Sequence, residues 1–195
     1  MDQRTYSIIL GIILLVFAIY SDNHKINSPK EQVSSAQTIH YDKSIKTEPG
    51  KPIKVVRVID GDTIELINGE HLRYIGIDTP EEFDQRKPVQ CFAVEAAARN
   101  RELVEGQMIT FQKDVTTYDK YGRWLGFVYL GDRTLVNKKL IEEGYAFAYD
   151  YPPDISKSEE FRLAERHARE KKLGLWAGCD VSTLSTGREQ TNPAR

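Results

Sequence analysis

Acidic residues stand on both sides of a β-hairpin signal in the stretch from residue 55 to residue 81. Asp62 precedes the Asn-Gly dipeptide at positions 68–69, and Arg73, Asp78 and Glu81 follow it. Carboxylate oxygens are the ligands that hard cations such as Ca²⁺ and Mg²⁺ take, and a guanidinium binds phosphate through paired N–H donors. These residue types at this spacing therefore suit a divalent cation bound beside a phosphate group.

The alternation of residues around the Asn-Gly dipeptide predicts two antiparallel strands joined by a two-residue turn. In that register Arg73 opposes Ile64, and Asp62 is a diagonal neighbour of Arg73 on the same face, roughly 7–8 Å away. Asp78 lies beyond the strand end, and alternation alone does not bring it to Asp62. Taken singly, each of these residues also fits ordinary turn chemistry, because Asp-Gly-Asp and Asp-Thr-Pro are common in turns.

Three blocks of sequence follow one another along the chain. They are Val-Ile-Asp-Gly-Asp-Thr at 58–63, Leu-Arg-Tyr-Ile-Gly-Ile-Asp-Thr-Pro-Glu at 72–81 and Asp-Lys-Tyr-Gly-Arg at 119–123. In content and order they resemble the thermonuclease family, the staphylococcal-nuclease-like domains, over roughly residues 54–179. The resemblance implies a Ca²⁺-dependent endonuclease that cuts DNA and RNA between phosphorus and the 5′ oxygen, leaving 3′-phosphate products.

Three residues are candidate metal ligands. Asp62 and Asp78 offer carboxylate oxygens, and Thr79 can add its backbone carbonyl. A set of oxygen ligands indicates Ca²⁺ or Mg²⁺ rather than zinc, and the resemblance selects Ca²⁺.

Three further residues are candidates for catalysis. Glu81 is the candidate to activate or orient the attacking water. Arg73 and Arg123 are expected to hold the phosphate from two sides, since a guanidinium stays charged at any working pH. Arg123 owes its assignment to the resemblance, because an arginine after Tyr-Gly carries no signal by itself.

Four residues are candidates for binding substrate. Lys120 and Tyr121 match the family's contact to a terminal phosphate, although a solvated loop explains them equally well. Tyr149 and Tyr151 are placed to stack on bases, and they fit core and rim aromatic positions as well.

Apolar and polar patterning predicts strands at 54–59, 63–67, 70–77, 108–113 and 124–130, with helices at 91–104, 135–143 and 158–172. The fold class is therefore α+β and mainly β. The resemblance supplies the topology, a five-stranded OB-type β-barrel with three helices, over residues 53–180. Residues 181–195 are expected to form a polar tail, and the protein is expected to be a monomer.

Residues 7–20 form an apolar run that is short for a membrane span and long enough for a signal-peptide core. No small-x-small cleavage site follows it. Residues 1–21 are therefore interpreted as a signal peptide or a signal anchor, followed by a polar linker at 22–52. Either alternative predicts an extracytoplasmic protein, secreted or membrane-anchored.

The chain has two cysteines, Cys91 and Cys179, and neither has zinc-site spacing. In an exported chain an even cysteine count favours a disulfide, which would tie the C-terminal segment to the barrel. Two free buried thiols are the alternative.

Charge and the candidate residues separate two function classes. A net charge of -2 and a pI near 6.1 argue against a non-catalytic coat protein for nucleic acid, which would be basic. A catalytically inactive OB module that binds nucleic acid or protein is the alternative to a nuclease acting on DNA and RNA, preferably single-stranded. The complete set of acids and arginines favours the enzyme.

Overall fold

The computed structural model describes residues 38–82 and 88–194. From Ile39 onward the chain forms one compact unit. The predicted signal segment and the first part of the predicted linker lie outside the described residues. Across the ranges that are described, no helix has the length and apolar character needed to cross a bilayer.

The structure contains nine strands in the described ranges, five of which close into a barrel. They are β1 (Ile53–Asp60), β2 (Thr63–Leu66), β3 (His71–Tyr74), β4 (Ile77–Asp78), β5 (Met108–Gln112), β6 (Trp124–Tyr129), β7 (Phe147–Ala148), β8 (Val181–Thr183) and β9 (Glu189–Thr191). The barrel order is β1-β2-β3-β6-β5, with β3 and β6 parallel and the other neighbouring pairs antiparallel. The predicted five-stranded OB-type barrel is confirmed.

In the described part of the chain, four helices surround the barrel, α1 (Ala93–Val104), α2 (Val136–Glu142), α3 (Ser158–Glu170) and α4 (Leu175–Gly178). The first three match the predicted helices, and α4 adds a single turn. Helix α1 packs on β1, while α2 packs on β6 and α3. The barrel interior holds apolar side chains that are completely buried, among them Leu66, Leu72, Phe111 and Val128. Their burial supplies most of the driving force for closing the barrel.

The predicted register of the β2–β3 hairpin is wrong by one residue. Arg73 opposes Thr63 rather than Ile64. The turn has three residues, 67–69, because the N–H of Leu66 donates to the carbonyl of Glu70 at 2.8 Å. Its last residue, a glycine at position 69, has a φ of +82°, which glycine adopts without a steric penalty.

The N-terminal edge of the domain lies earlier than predicted. Within the range expected to be a linker, the N–H of Asp42 donates to the carbonyl of Ile67, and the N–H of Gly50 donates to the carbonyl of Phe111, both at 2.8 Å. Thr47 is buried. Residues 39–52 are therefore part of the folded unit, and only the part of the linker before residue 38 is outside the described range.

The C-terminal residues form a hairpin, which corrects the prediction of a polar tail. Strands β8 and β9 pair antiparallel, and Cys91 donates its N–H to the carbonyl of Asn192 at 2.7 Å. A disulfide joins Cys91 to Cys179, across 88 positions of the sequence. The hairpin is consequently attached to the segment that leads into α1.

Candidate active site

Asp62 lies where β1 turns into β2. Its Oδ2 accepts hydrogen bonds from the N–H and the hydroxyl of Thr79, both at 3.1 Å. Gly61 permits this contact, because a Cβ at that position would lie 2.5 Å from Thr79 Oγ1. The Asp-Gly-Asp sequence therefore lets β4 approach the β1–β2 turn closely.

Arg73 connects the two candidate metal ligands. Its Nη2 forms an ion pair with Asp62 Oδ2 at 2.9 Å and donates a hydrogen bond to Asp78 Oδ1 at 3.3 Å. Its Nη1 donates to the carbonyls of Tyr74 and Ile77, at 2.7 and 3.1 Å. The guanidinium is thus fixed by backbone as well as by carboxylates, and it joins Asp62 to Asp78, which strand alternation did not predict.

The chain reverses between β3 and β4 so that Asp78 points at the same site. Gly76 lies in this reversal with a φ of +77°, and its carbonyl accepts the N–H of Tyr149 at 3.0 Å. A short pairing of β4 with β7 follows, in which Asp78 opposes Phe147. Tertiary contacts of β7 therefore determine where Asp78 lies.

Carboxylates crowd this part of the structure. Burial, followed by the charge of Asp62, raises the pKa of Asp60 to about 7. Burial also raises the pKa of Asp78, although the guanidiniums of Arg73 and Arg188 oppose that increase. Such crowding is what a bound divalent cation would relieve.

Arg123 approaches the site from the loop before β6. Its Nε donates to Asp119 Oδ2 at 2.6 Å, and its Nη1 lies 3.4 Å from Thr63 Oγ1. Burial raises the pKa of Asp119, but hydrogen bonds from the backbone and side chain of Arg123 outweigh it and keep that pKa below its ordinary value. Asp119 therefore stays ionised and holds Arg123 in place.

Glu81 stands at the more open edge of the site. Its N–H donates to Gln90 Oε1 at 2.8 Å, and its side chain is 45% exposed. Its Oε1 accepts a hydrogen bond from Arg188 Nη2 at 3.0 Å. Water can therefore reach the carboxylate that sequence analysis proposes as the base.

One cleft of about 550 Å³ brings every predicted metal, catalytic and substrate residue together. Its lining includes Asp62, Arg73, Asp78, Thr79, Glu81, Lys120, Tyr121, Arg123, Tyr149 and Tyr151. Tyr121 and Tyr151 are 72% and 65% exposed at the rim, and the Lys120 ammonium lies 5.0 Å from the centre of the Tyr121 ring. The individual roles of these residues stay predictions.

Arg188 lines the same cleft and is not among the residues predicted from the sequence. Its guanidinium donates to both oxygens of Asp78, with Nη2 at 2.9 Å from Oδ1, and to Glu81. No sequence signal marks Arg188, since it lies in a short polar segment with no motif around it. Only the fold of the C-terminal hairpin brings it here.

The donors fit a hard cation that keeps water ligands. In the parts of the chain that the structure describes, no three acidic, histidine or cysteine side chains converge as a complete metal cage. Asp62 and Asp78 nevertheless share one guanidinium and are both buried, and all of their donor atoms are oxygens. Ca²⁺ and Mg²⁺ accept two carboxylates together with carbonyls and waters.

Comparison with known proteins identifies the family. A family model described as "Staphylococcal nuclease homologue" matches residues 71–178, which is more than half of the chain. The chain belongs to the staphylococcal nuclease family. It is a nuclease that hydrolyses phosphodiester bonds, as sequence analysis predicted, and its substrate is nucleic acid.

Three relatives illustrate the match. Endonuclease YncB of Bacillus subtilis (strain 168) is 36% identical over 172 residues, which is 80% of each chain. The Thermonuclease of Staphylococcus intermedius is 37% identical over 70% of this chain and 82% of its own. The Thermonuclease of Staphylococcus hyicus is 37% identical over 64% of this chain and 75% of its own.

Proposed function

We propose that this nuclease is a Ca²⁺-dependent endonuclease that cleaves DNA and RNA, preferably single-stranded, to 3′-phosphate products. The observation that carries the proposal is the pair of carboxylates, Asp62 and Asp78, joined by Arg73 within one cleft. Names of similar proteins include Thermonuclease and endonuclease, which agrees with internal cleavage of the strand. The protein acts as a monomer in this proposal.

Asp62, Asp78 and the carbonyl of Thr79 would hold the cation. When bound, Ca²⁺ supplies positive charge that stabilises the phosphoryl oxygens as negative charge develops on them. Because Asp62 Oδ2 already accepts two hydrogen bonds from Thr79 and forms an ion pair with Arg73, its Oδ1 is the oxygen with more capacity for a cation. Thr63 Oγ1 donates to that Oδ1 at 3.2 Å.

The two arginines have separate tasks at the phosphate. Arg73 lends positive charge from a fixed position, since carboxylates and carbonyls already occupy both of its terminal nitrogens. Arg123 is anchored by the hydrogen bond from its Nε to Asp119, and it lines the cleft. Its terminal nitrogens are therefore available to donate to a phosphate. Bidentate donation to phosphate is the strength of a guanidinium.

Glu81 takes a proton from the attacking water in this mechanism. The water oxygen forms a bond to phosphorus, the bond from phosphorus to the 5′ oxygen breaks, and the phosphate remains on the 3′ side. The departing 5′ oxygen gains a proton from solvent or from a cleft donor. The exposed ring of Tyr151 offers a surface for an unpaired base, a stack being worth roughly 1–3 kcal/mol.

An extracytoplasmic location belongs to the same proposal. The apolar run at 7–20 supports export through a signal peptide or a retained anchor. The disulfide between Cys91 and Cys179 supports an oxidising compartment, because reducing compartments keep thiols free.

The test compares Glu81→Gln with Glu82→Gln in the full chain, kept in mild detergent. Each variant is incubated with single-stranded DNA or RNA, in Ca²⁺ or in chelator, and the ends of the products are analysed. We expect Ca²⁺-dependent cutting with 3′-phosphate ends, reduced by about 10²–10⁴-fold in Glu81→Gln and unchanged in the neighbouring variant. Cutting that continues in chelator, or equal rates in the two variants, would contradict the proposal.

A further inference from the structure

Arg188 donates hydrogen bonds to carboxylates at the site proposed for the cation. It lies beyond the segment 71–178 that the family model matches, 110 positions from Asp78 in the sequence. Among the described residues its guanidinium donates to two partners, Asp78 and Glu81. One partner is a proposed metal ligand, and the other is the proposed base.

The segment that carries Arg188 is anchored. Next to it in β9, Glu189 forms an ion pair with Arg169 of α3. Thr191 donates its hydroxyl to the carbonyl of Cys91 at 2.8 Å. The disulfide at Cys179 attaches the chain just before β8. Arg188 is therefore delivered to the site by folded structure, so its contact with Asp78 is a specific one.

The lone pairs of Asp78 are largely used by arginines. Oδ1 accepts bonds from Arg73 and Arg188, and Oδ2 accepts a bond from Arg188. A carboxylate oxygen has about two lone-pair positions, so a cation on Asp78 competes directly with a guanidinium. A cation and the Arg188 guanidinium bound to the same carboxylate would also repel each other, because both are positively charged.

The two arginines differ in how firmly they are held. Arg73 also donates to two backbone carbonyls, and its side chain is 18% exposed. Moving it would leave those carbonyls without their donor in a largely buried place. The guanidinium of Arg188 donates only to carboxylates among the described residues, and its side chain is 36% exposed. An arriving cation therefore displaces Arg188 and not Arg73.

We propose that Arg188 is a positioning residue that occupies the cation site in the metal-free enzyme and so sets the affinity for Ca²⁺. Binding of Ca²⁺ moves the guanidinium off Asp78 and, with it, off Glu81. Glu81 then becomes free to accept a proton, which couples metal binding to the readiness of the base. This inference rests on the proposed function, in which Asp78 binds the cation.

Direct titration of Ca²⁺ by calorimetry, without nucleic acid, tests the competition in the full chain. Arg188→Ala is compared with wild type and with Arg57→Ala, a matched control in which the arginine pairs with the buried Glu65 outside the cleft. If the guanidinium occupies the carboxylates in about nine of ten molecules, its removal lowers the apparent Kd for Ca²⁺ about tenfold. The control variant should bind Ca²⁺ as wild type does.

Arg188→Gln serves as a second variant, since it keeps side-chain donors without the charge and should also bind Ca²⁺ more tightly. Thermal unfolding gives an independent reading, in which Ca²⁺ raises the melting temperature of both variants more than that of wild type. Wild-type binding with equal or weaker binding by both variants would overturn this inference and leave the proposed function standing. If neither wild type nor any of the variants binds Ca²⁺, both this inference and the proposed function are overturned. Binding by the Arg188 variants alone would support the competition.

Discussion

Replacing Gly61 by alanine tests whether the site depends on the close approach of two turns. A Cβ at Gly61 would lie 2.5 Å from Oγ1, 2.7 Å from Cβ and 2.8 Å from Cγ2 of Thr79. Non-bonded carbon atoms prefer separations of about 3.5–4.0 Å, so Thr79 has to retreat by about 1 Å. The overlap includes the Cβ of Thr79, and therefore a change of rotamer does not relieve it.

The size of the effect follows from the bonds that this movement breaks. The N–H and the hydroxyl of Thr79 both donate to Asp62 Oδ2 at 3.1 Å, and a 1 Å retreat takes both beyond hydrogen-bonding distance. Overpacking costs about 1–3 kcal/mol, and each bond to a charged group is worth about 1.5–3 kcal/mol. Because water partly replaces the lost donors, we expect Gly61→Ala to lower the free energy of unfolding by about 2–4 kcal/mol.

Activity should fall together with stability. A displacement of about 1 Å between catalytic groups reduces rates by roughly 10²-fold, and the shift separates Asp62 from Thr79 by that amount. Cleavage of single-stranded DNA in Ca²⁺ is the assay, at a temperature where urea titration finds the variant folded. Gly131→Ala is the matched control, because nothing lies within 4 Å of the added Cβ. A folded Gly61→Ala enzyme that cuts as fast as this control would refute the reasoning.

Three other predictions concern stability. Asn137 is completely buried, and its amide makes three hydrogen bonds to backbone groups of the barrel. Asn137→Ala should therefore lower the free energy of unfolding in urea by about 2–4 kcal/mol, and a loss under about 0.5 kcal/mol would contradict this role. Burial raises the pKa of Glu143, but hydrogen bonds from Arg99 and Lys139 outweigh it, so the pKa lies below its ordinary value of 4.5. The stability that Glu143 contributes is present above pH 4.5 and is lost as the pH falls through its lowered pKa in the folded protein. Glu143→Gln should therefore lower the free energy of unfolding by about 0.5–1 kcal/mol at pH 7 and by less near pH 3. Without reductant, alkylation should add no mass at Cys91 or Cys179, and replacing both by alanine should cost about 2–4 kcal/mol; two alkylated thiols would exclude the disulfide.

The candidate metal-binding and catalytic residues could be named from the sequence because they stand in local blocks with strong turn signals. Asp62 and Arg73 flank one hairpin, and a turn error of one residue did not separate them. In the observed register, Arg73 Nη2 lies 2.9 Å from Asp62 Oδ2. Short-range patterns therefore identified residues that the fold brings into one cleft, even where they predicted the wrong strand register.

The register itself could not be read from the hairpin sequence. The side chain of Asn68 donates to the hydroxyl of Thr47 at 2.9 Å and to the carbonyl of Ile45 at 3.2 Å. These partners belong to the segment that composition assigned to a linker. These contacts with a segment distant in the sequence determine the conformation of the turn, and they outweigh the local preference of Asn-Gly for a two-residue turn.

The C-terminal hairpin had no sequence signal for a similar reason. Strands β8 and β9 have three residues each and no apolar alternation. Hydrogen bonds with Cys91 and the disulfide from Cys179 to Cys91 hold the two strands in place, and Cys91 lies far from them in the sequence. Short polar strands form where tertiary contacts supply the stability that their own composition lacks.

Arg188 could not be predicted from motifs, because it lies outside the three sequence blocks. The blocks identify groups that bind a cation or a phosphate, because those groups must have particular chemical types. A group that competes with the cation needs only a positive charge and the right position, and any arginine in a polar segment satisfies the first condition. Its contact with Asp78 spans 110 positions. In the proposed competition, the affinity of the site for its metal depends on a segment that lies outside the motifs.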